Sequence, residues 1–233
     1  MKKSVFLAII SFILYFLQSL ICGIIVGTFN IDESVAEICS SIFVLGIVFF
    51  MIRKRLSYYG ICKWKGDNFY KINFILFLVP LVNVPYLFSG AKINIVIAIV
   101  NSIYIGIMEE IVFRSFLCRS IEQMSNENKA IIISSMIFGC FHFLNIGNYP
   151  LIYVLLQVLY AFGMGIVFSV VFYKSRSIIP CIIIHILIDF LGTFELEPIF
   201  IAEIIGTIIC SLCAVYYYFF VRKKVHAGVH ELI

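Results

Sequence analysis

Residues 93–118 have the sequence INIVIAIVNSIYIGIMEEIVFRSFLC, a long apolar run with only three charged side chains, Glu109, Glu110 and Arg114. A helix that crosses a bilayer needs about 20 mostly apolar residues. The run is long enough for this and predicts a transmembrane helix. Charges inside such a helix are costly, so these three call for a partner, a hydrated cavity or a chemical role.

The whole chain shares this apolar character. Of its 233 residues, 63% are apolar and 13% are charged, and the mean hydropathy is +1.09. A soluble domain averages about 45–50% apolar and about 25% charged residues. A water-soluble globule of this size could not hide so much apolar surface, so the composition excludes a soluble enzyme, a nucleic-acid-binding protein and a disordered chain. It predicts a polytopic membrane protein that contacts the lipid bilayer.

Hydropathy predicts an all-α membrane helix bundle of about eight transmembrane helices, forming a single domain over residues 1–233. The candidate spans are 5–28, 36–52, 72–90, 93–118, 129–145, 150–172, 178–193 and 198–221. The fifth and seventh are short for full crossings. If the N-terminus is cytoplasmic, every Lys and Arg except Lys92 and Arg114 falls in a cytoplasmic segment. Positive charge favours cytoplasmic loops, so we expect both termini in the cytoplasm. The excess of Ile over Ala indicates a bacterial gene from an AT-rich genome. We therefore expect a multi-pass protein of the bacterial plasma membrane.

Ionisable side chains lie inside three of these spans. Span four contains Glu109, Glu110 and Arg114, span five contains His142, and span seven contains His185 and Asp189. Glu110 and Arg114 are four residues apart and share a helix face, whereas Glu109 points about 100° away. We therefore expect one carboxylate to neutralise Arg114 and the other to stay free. Only tertiary packing could bring the groups of the three helices together.

Each of these groups also has a structural interpretation. Glu110 with Arg114 is by itself typical of a buried ion pair, a lone intramembrane His is as often a helix–helix hydrogen bond as a catalyst, and Asp189 could simply orient His185. Glu203, near the outer start of span eight, is assigned to the membrane interface. The structural interpretation weakens because the groups fall in adjacent spans of a chain otherwise almost free of intramembrane charge.

Three motifs in this region resemble those of a known family. Glu109-Glu110-Ile-Val-Phe-Arg114 resembles the EExxxR motif of the CPBP family, the CAAX prenyl endopeptidase type II and bacteriocin-processing group of intramembrane proteases, also called Abi. Phe138-Gly-Cys-Phe-His142 resembles its FxxxH motif, and His185-Ile-Leu-Ile-Asp189 resembles its HxxxN or HxxxD motif. The motifs occur in the family's order, and the resemblance covers a catalytic core of about residues 93–193.

The resemblance implies an eight-helix bundle that hydrolyses peptide bonds within the membrane. It implies that Glu109 is the general base and that His142 helps to hold the attacking water. His185 and Asp189 would lie near the substrate carbonyl oxygen as oxyanion stabilisers. The supporting residues would be Glu110, Arg114 and Phe138.

Position 189 departs from the better-studied prenyl proteases, which have Asn there. Because an ionised Asp cannot donate a hydrogen bond, Asp189 is protonated, or it orients a protonated His185, or the constellation binds a metal. Glu109, His142, His185 and Asp189 are plausible zinc ligands. We favour the glutamate-type mechanism without a metal or other cofactor over a zinc-dependent one.

The depth of the three motifs is a difficulty for this interpretation. Glu109 lies towards the cytoplasmic end of span four, whereas His142 falls nearer the exterior. At 1.5 Å per residue, the offset could reach roughly 10 Å. We expect span five to begin below the membrane surface or to tilt steeply.

The function predicted from these observations is an intramembrane endopeptidase that acts on a small peptide or a membrane-associated protein. A role in bacteriocin self-immunity or peptide maturation is favoured over prenyl processing. One alternative is a non-catalytic immunity or scaffold protein that binds a peptide or partner in the same cavity. A less favoured one is a small transporter or proton relay. No nucleic-acid partner is predicted, and the sequence makes no prediction of the oligomeric state.

Overall fold

The computed structural model describes residues 2–62, 76–77, 79–88, 90–196 and 199–222. The described residues are 84% helical and form no strand, which confirms the all-α prediction. The helices in chain order are α1 (Lys2–Phe29), α2 (Glu33–Ile52), a short 3-10 segment (Arg53–Arg55), a 3-10 helix (Val79–Phe88), α3 (Ile95–Glu110), a π-helical segment (Ile111–Cys118), α4 (Arg119–Met124), α5 (Glu127–Phe141), a 3-10 turn (His142–Asn145), α6 (Leu151–Ser175), α7 (Ile179–Gly192), α8 (Phe200–Tyr216) and a second π-helical segment (Tyr217–Val221).

In the part of the chain that the structure describes, five helical stretches are long and apolar enough to cross a membrane, which confirms the polytopic membrane prediction. They are Phe12–Phe29, Glu33–Arg55, Ile95–Met124, Leu151–Ser175 and Phe200–Val221. They correspond to predicted spans one, two, four, six and eight. On α1, a row of apolar side chains that includes Ile9, Ile13 and Phe16 is exposed, as expected for a surface that faces lipid.

The remaining predicted spans are short or irregular. Span five becomes α5 and the 3-10 turn, and span seven becomes α7. Part of span three, including residues 72–75, lies outside the described residues. Its described part is the 3-10 helix Val79–Phe88, which contains Pro80 and Pro85. Proline lacks the backbone N–H that a regular α-helix needs, so an α-helix is disfavoured there.

Side chains in the loops fix where the central helices begin. The Asn94 side chain accepts hydrogen bonds from the backbone N–H groups of Val96 and Ile97, and thereby caps α3. Asn126 caps α5 in the same way through the N–H of Lys129. Such caps satisfy donors that a helix start leaves unpaired. They set the register of the two helices that carry the first two motifs.

The helix that begins at Ile95 does not end at Cys118 but continues through the π-helical segment to Met124. Glu109 therefore lies about 22 Å from the Met124 end, at 1.5 Å per residue. His142 lies about 22 Å from the start of α5 at Glu127 by the same arithmetic. Glu109 and His142 therefore lie at similar distances from the loop that joins α4 to α5, because the helix of span four continues to Met124. The expectation that span five begins below the membrane surface or tilts steeply stays a prediction.

Small residues bring the motif-bearing helices close together. The bundle packs α5 along α6, α6 along α8, and α3 along α7. A Cβ atom on Gly106 of α3 would lie 2.8 Å from Cγ1 of Ile186 on α7, and one on Gly139 of α5 would lie 2.9 Å from the carbonyl oxygen of Val158 on α6. Only glycine permits these approaches, which are typical of helix pairs in membranes.

Candidate active site

Arg114 is a charged residue that is buried almost completely at the site. Its side chain is 1% exposed, and its Nη1 lies 2.9 Å from Oε1 of Glu110. The guanidinium also lies over the rings of Phe138 and Phe168, with its central carbon 4.4 Å and 5.1 Å from the ring centroids. A buried charge needs a counter-charge, and aromatic faces add cation–π attraction. Arg114 therefore holds Glu110 and Phe138 in fixed positions.

Glu110 joins two of the motifs. Its Oε1 also lies 2.8 Å from Nδ1 of His185 on α7. Because a carboxylate oxygen accepts hydrogen bonds, the His185 ring carries a proton on Nδ1 and donates it to Glu110. Glu110 is 0% exposed, so it is enclosed between Arg114 and His185.

The other ring nitrogen of His185 faces two more carboxylates. Nε2 lies 3.5 Å from Oε2 of Glu109 and 3.7 Å from Oδ2 of Asp189. The rings of Phe138 and Phe168 pack against the imidazole, with centroid distances of 6.0 Å and 5.6 Å. His185 is therefore fixed by two aromatic rings and by contacts at both nitrogens.

Glu109 points away from Arg114, as the 100° separation along the helix predicts. Its Oε1 accepts a hydrogen bond of 3.2 Å from the hydroxyl of Tyr15 on α1, while Oε2 faces His185. The sequence analysis did not find Tyr15. A signal was present, because Tyr15, Gln18 and Ser19 form a polar stripe at helical spacing in an otherwise apolar helix.

His142 lies in the 3-10 turn after α5, next to Phe138. Its Nδ1 lies 3.0 Å from the carbonyl oxygen of Phe138. A carbonyl only accepts, so Nδ1 is the donor, and Nε2 of the neutral ring is left as an acceptor. The Phe138 ring packs edge-on against the imidazole at a centroid distance of 5.3 Å.

The candidate catalytic side chains line one cavity of about 620 Å³. The four are Glu109, His142, His185 and Asp189. Ligand pockets typically measure about 300–1,000 Å³, so this volume suits a bound molecule and water. Glu110, Arg114 and Phe138 pack behind the wall and do not line the cavity. The structure thus brings together every site residue that the sequence predicted, and their chemical roles stay predictions.

A further polar pair, outside the three motifs, also lines the cavity. The amide of Asn101 donates a 2.8 Å hydrogen bond to Oε1 of Glu37, and both side chains belong to the wall. The sequence analysis did not single out either residue, although Glu37 is an ionisable group inside span two. This pair and the stripe on α1 make the cavity more polar than its apolar helices indicate.

A second cavity of about 460 Å³ adjoins the first, and four residues line both: Asn101, Ile105, Gln157 and Asp189. Glu203 lines this second cavity and accepts a 3.0 Å hydrogen bond from the hydroxyl of Tyr86. Glu203 thus belongs to the polar wall of this second cavity, and its assignment to the membrane interface stays a prediction. Its side chain is held there by Tyr86, a contact between distant parts of the chain.

The geometry does not support the zinc alternative. Within the described ranges, no group of three or more His, Cys, Asp or Glu side chains is arranged to hold a metal ion. The four candidate ligands line one cavity without converging on one point, so no step of the chemistry is derived through a metal.

A family model described as Rce1-like, type II CAAX prenyl endopeptidase, matches residues 91–191. This match supports assignment to the CPBP (Abi) family. The region matched by the CPBP-family model contains all three motifs, from Glu109 to Asp189, but not Tyr15 on α1. No curated protein and no solved structure matches the chain. At the level of the family, the match indicates a CAAX-type intramembrane protease.

Proposed function

We propose that the protein is an intramembrane endopeptidase that hydrolyses a peptide bond of a small peptide or membrane-associated substrate. The observation that carries the proposal is the convergence of Glu109, His142 and His185, from three helices, on one polar cavity within an apolar bundle. The family match over residues 91–191 supports the reaction class.

In the proposed reaction, Glu109 is the general base. A water molecule in the cavity gives a proton to Oε2 of Glu109 as its oxygen attacks the substrate carbonyl carbon. Nε2 of His142 accepts a hydrogen bond from the other hydrogen of this water, which orients the attacking lone pair. Glu109 then passes its proton to the leaving amine as the peptide bond breaks. General acid–base catalysis of this kind contributes about 10²–10⁴-fold in rate.

His185 is the proposed oxyanion stabiliser. With Nδ1 already donating to Glu110, a second proton on Nε2 is available to the carbonyl oxygen as negative charge develops. Such a donor is most effective when it is fixed in advance in a water-poor site. Of the three alternatives for Asp189, its 3.7 Å separation from Nε2 supports the one in which it orients a protonated His185.

The test is peptide hydrolysis by purified protein in liposomes, assayed with a pool of fluorescence-quenched peptides. We expect Glu109→Gln to abolish cleavage while the protein still inserts and elutes as the wild type does. Glu33→Gln is the matched control, because Glu33 is an exposed glutamate in the first turn of α2. Full cleavage by Glu109→Gln would rule out Glu109 as the base.

The biological role that we propose is bacteriocin self-immunity or peptide maturation in a bacterial plasma membrane, with both termini cytoplasmic. The alternative is a non-catalytic immunity or scaffold protein that uses the same cavity for binding. The two differ in one outcome: protection of cells that survives replacement of Glu109, His142 and His185 together would favour the binding protein.

A further inference from the structure

Tyr15 is held more firmly than a lipid-facing residue of an outer helix needs to be. Its ring stacks on Tyr104 of α3, with centroids 5.9 Å apart and an interplanar angle of 7°. The Tyr104 hydroxyl also donates to the backbone carbonyl of Tyr15 at 3.4 Å. The ring of Phe141, at the end of α5, packs edge-on against it. Contacts from two motif-bearing helices therefore fix the phenol.

The same face of α1 is anchored one turn earlier. Phe12 packs edge-on against Phe113 and Phe141, with centroid distances of 5.3 Å and 5.4 Å. Phe113 in turn packs on Phe138, the residue between the two imidazoles. The position of the Tyr15 hydroxyl is thus tied to the helices that carry the site, although α1 lies outside residues 91–191.

The hydroxyl acts on the orientation of the Glu109 carboxyl group. The terminal torsion of a glutamate is broad, so its carboxyl plane is not set by the side chain alone. The Tyr15 hydroxyl donates a 3.2 Å hydrogen bond to Oε1 of Glu109. With Oε1 held in this way, Oε2 faces Nε2 of His185 and the cavity. Among the described residues, no other side chain donates a hydrogen bond to Oε1.

We propose that Tyr15 is a positioning residue that holds Glu109 with Oε2 towards the reacting water, so that α1 completes the active site. The inference rests on the proposed function, because it assigns Tyr15 a role through the proposed base. Tyr15 itself takes no proton and touches no reacting atom. Tyr15 increases the fraction of time that the Glu109 carboxyl group spends in the productive orientation.

The test compares Tyr15→Phe, which removes only the hydroxyl, with Tyr216→Phe, a matched change at an exposed position of α8. With a quenched peptide that the wild type cleaves, we expect Tyr15→Phe to lower kcat about tenfold with KM within about twofold, and Tyr216→Phe to leave both unchanged. A merely structural role would lower the folded fraction and leave the kcat of the folded protein unchanged.

A second readout does not depend on cleavage. The infrared carboxyl stretch of Glu109 is identified as the band that Glu109→Gln removes. We expect this band to shift in Tyr15→Phe and to stay in place in Tyr216→Phe, because only the first variant loses a hydrogen bond to the carboxyl group. A band that does not move, or a kcat that stays at the wild-type value, would overturn the role of Tyr15 even if Glu109→Gln is inactive. Cleavage by Glu109→Gln would instead overturn the proposed function.

Discussion

The approach of α3 to α7 at Gly106 can be tested with a single methyl group. In Gly106→Ala, the new Cβ would lie 2.8 Å from Cγ1 of Ile186 and 3.2 Å from its backbone nitrogen. Ordinary contact begins at 3.4 Å, so α7 must move away from α3 by about 0.6 Å, the difference between 3.4 and 2.8 Å. The neighbour is branched and close to its own backbone, so a side-chain rotation alone does not relieve the contact.

This displacement acts on the site because His185 precedes Ile186 on α7. If His185 moves with its helix, the distance from Nδ1 to Oε1 of Glu110 grows from 2.8 Å to roughly 3.4 Å, beyond the range of a good N–H···O bond. A misplacement of about 1 Å can cost about 10²-fold in rate, so we expect kcat to fall roughly 10- to 100-fold. Overpacking of this kind also costs about 1–3 kcal/mol of stability.

The assay measures kcat on a quenched peptide and the thermal unfolding midpoint of the same preparation. Gly46→Ala is the matched control, because a Cβ at Gly46 of α2 would meet nothing within 4 Å. We expect that control to keep the wild-type kcat and an unchanged or slightly higher midpoint, since Ala favours helix over Gly. If Gly106→Ala also keeps both values, the close approach of α3 and α7 does not hold His185 in place and the reasoning is refuted.

Three further outcomes follow from the charges of the protein. Glu110→Gln should lower the unfolding midpoint strongly, because Arg114 and His185 lose their shared carboxylate and an unpaired buried charge costs about 3–5 kcal/mol; a midpoint equal to that of Glu109→Gln would contradict this. Burial and the nearby carboxylate of Glu203 raise the pKa of Glu195, in the loop after α7, to about 7. Because folding favours the protonated form of Glu195, this carboxyl group stabilises the folded state fully below its ordinary pKa, and the stabilisation is lost as the pH rises to about 7. The thermal unfolding midpoint should therefore fall over that pH range in the wild type, and fall less in Glu195→Gln. Metal analysis of purified protein should show no zinc that tracks peptide cleavage, and stoichiometric zinc that does so would restore the metal-dependent alternative.

Hydropathy predicted the membrane helices well because the cost of exposing backbone and charge to lipid is large. It placed the end of span four too early, at residue 118, since the helix continues through the polar residues Arg119 and Glu122 to Met124. Beyond the hydrocarbon region a helix can continue with polar side chains, so its end need not coincide with the end of the apolar residues. The local change to a 3-10 helix at Val79–Phe88 depends on two prolines, which a hydropathy average does not register.

In the site, the charged residues could be found from the sequence, whereas the contacts between helices could not. Charged residues inside spans stand out because each is costly, and this drew attention to Glu109, Arg114 and Asp189. Tyr15 did not stand out, because tyrosine is common in this chain and carries no charge. The hydrogen bond between Glu110 and His185 joins α3 to α7. Residue spacing along a helix predicts contacts within that helix only, so it could not predict this bond.

The structure separates the roles of two glutamates that are neighbours in sequence. Glu110 is 0% exposed, and its Oε1 is shared by Arg114 and His185. A carboxylate held in this way would lose both partners if it took a proton, so it is poorly suited to act as a base. Glu109 lines the cavity, and among the described residues its Oε2 has one charged partner, Nε2 of His185, at the long distance of 3.5 Å. The capacity to accept a proton from water therefore lies with Glu109, and the neighbouring carboxylate instead fixes the histidine on which the oxyanion depends.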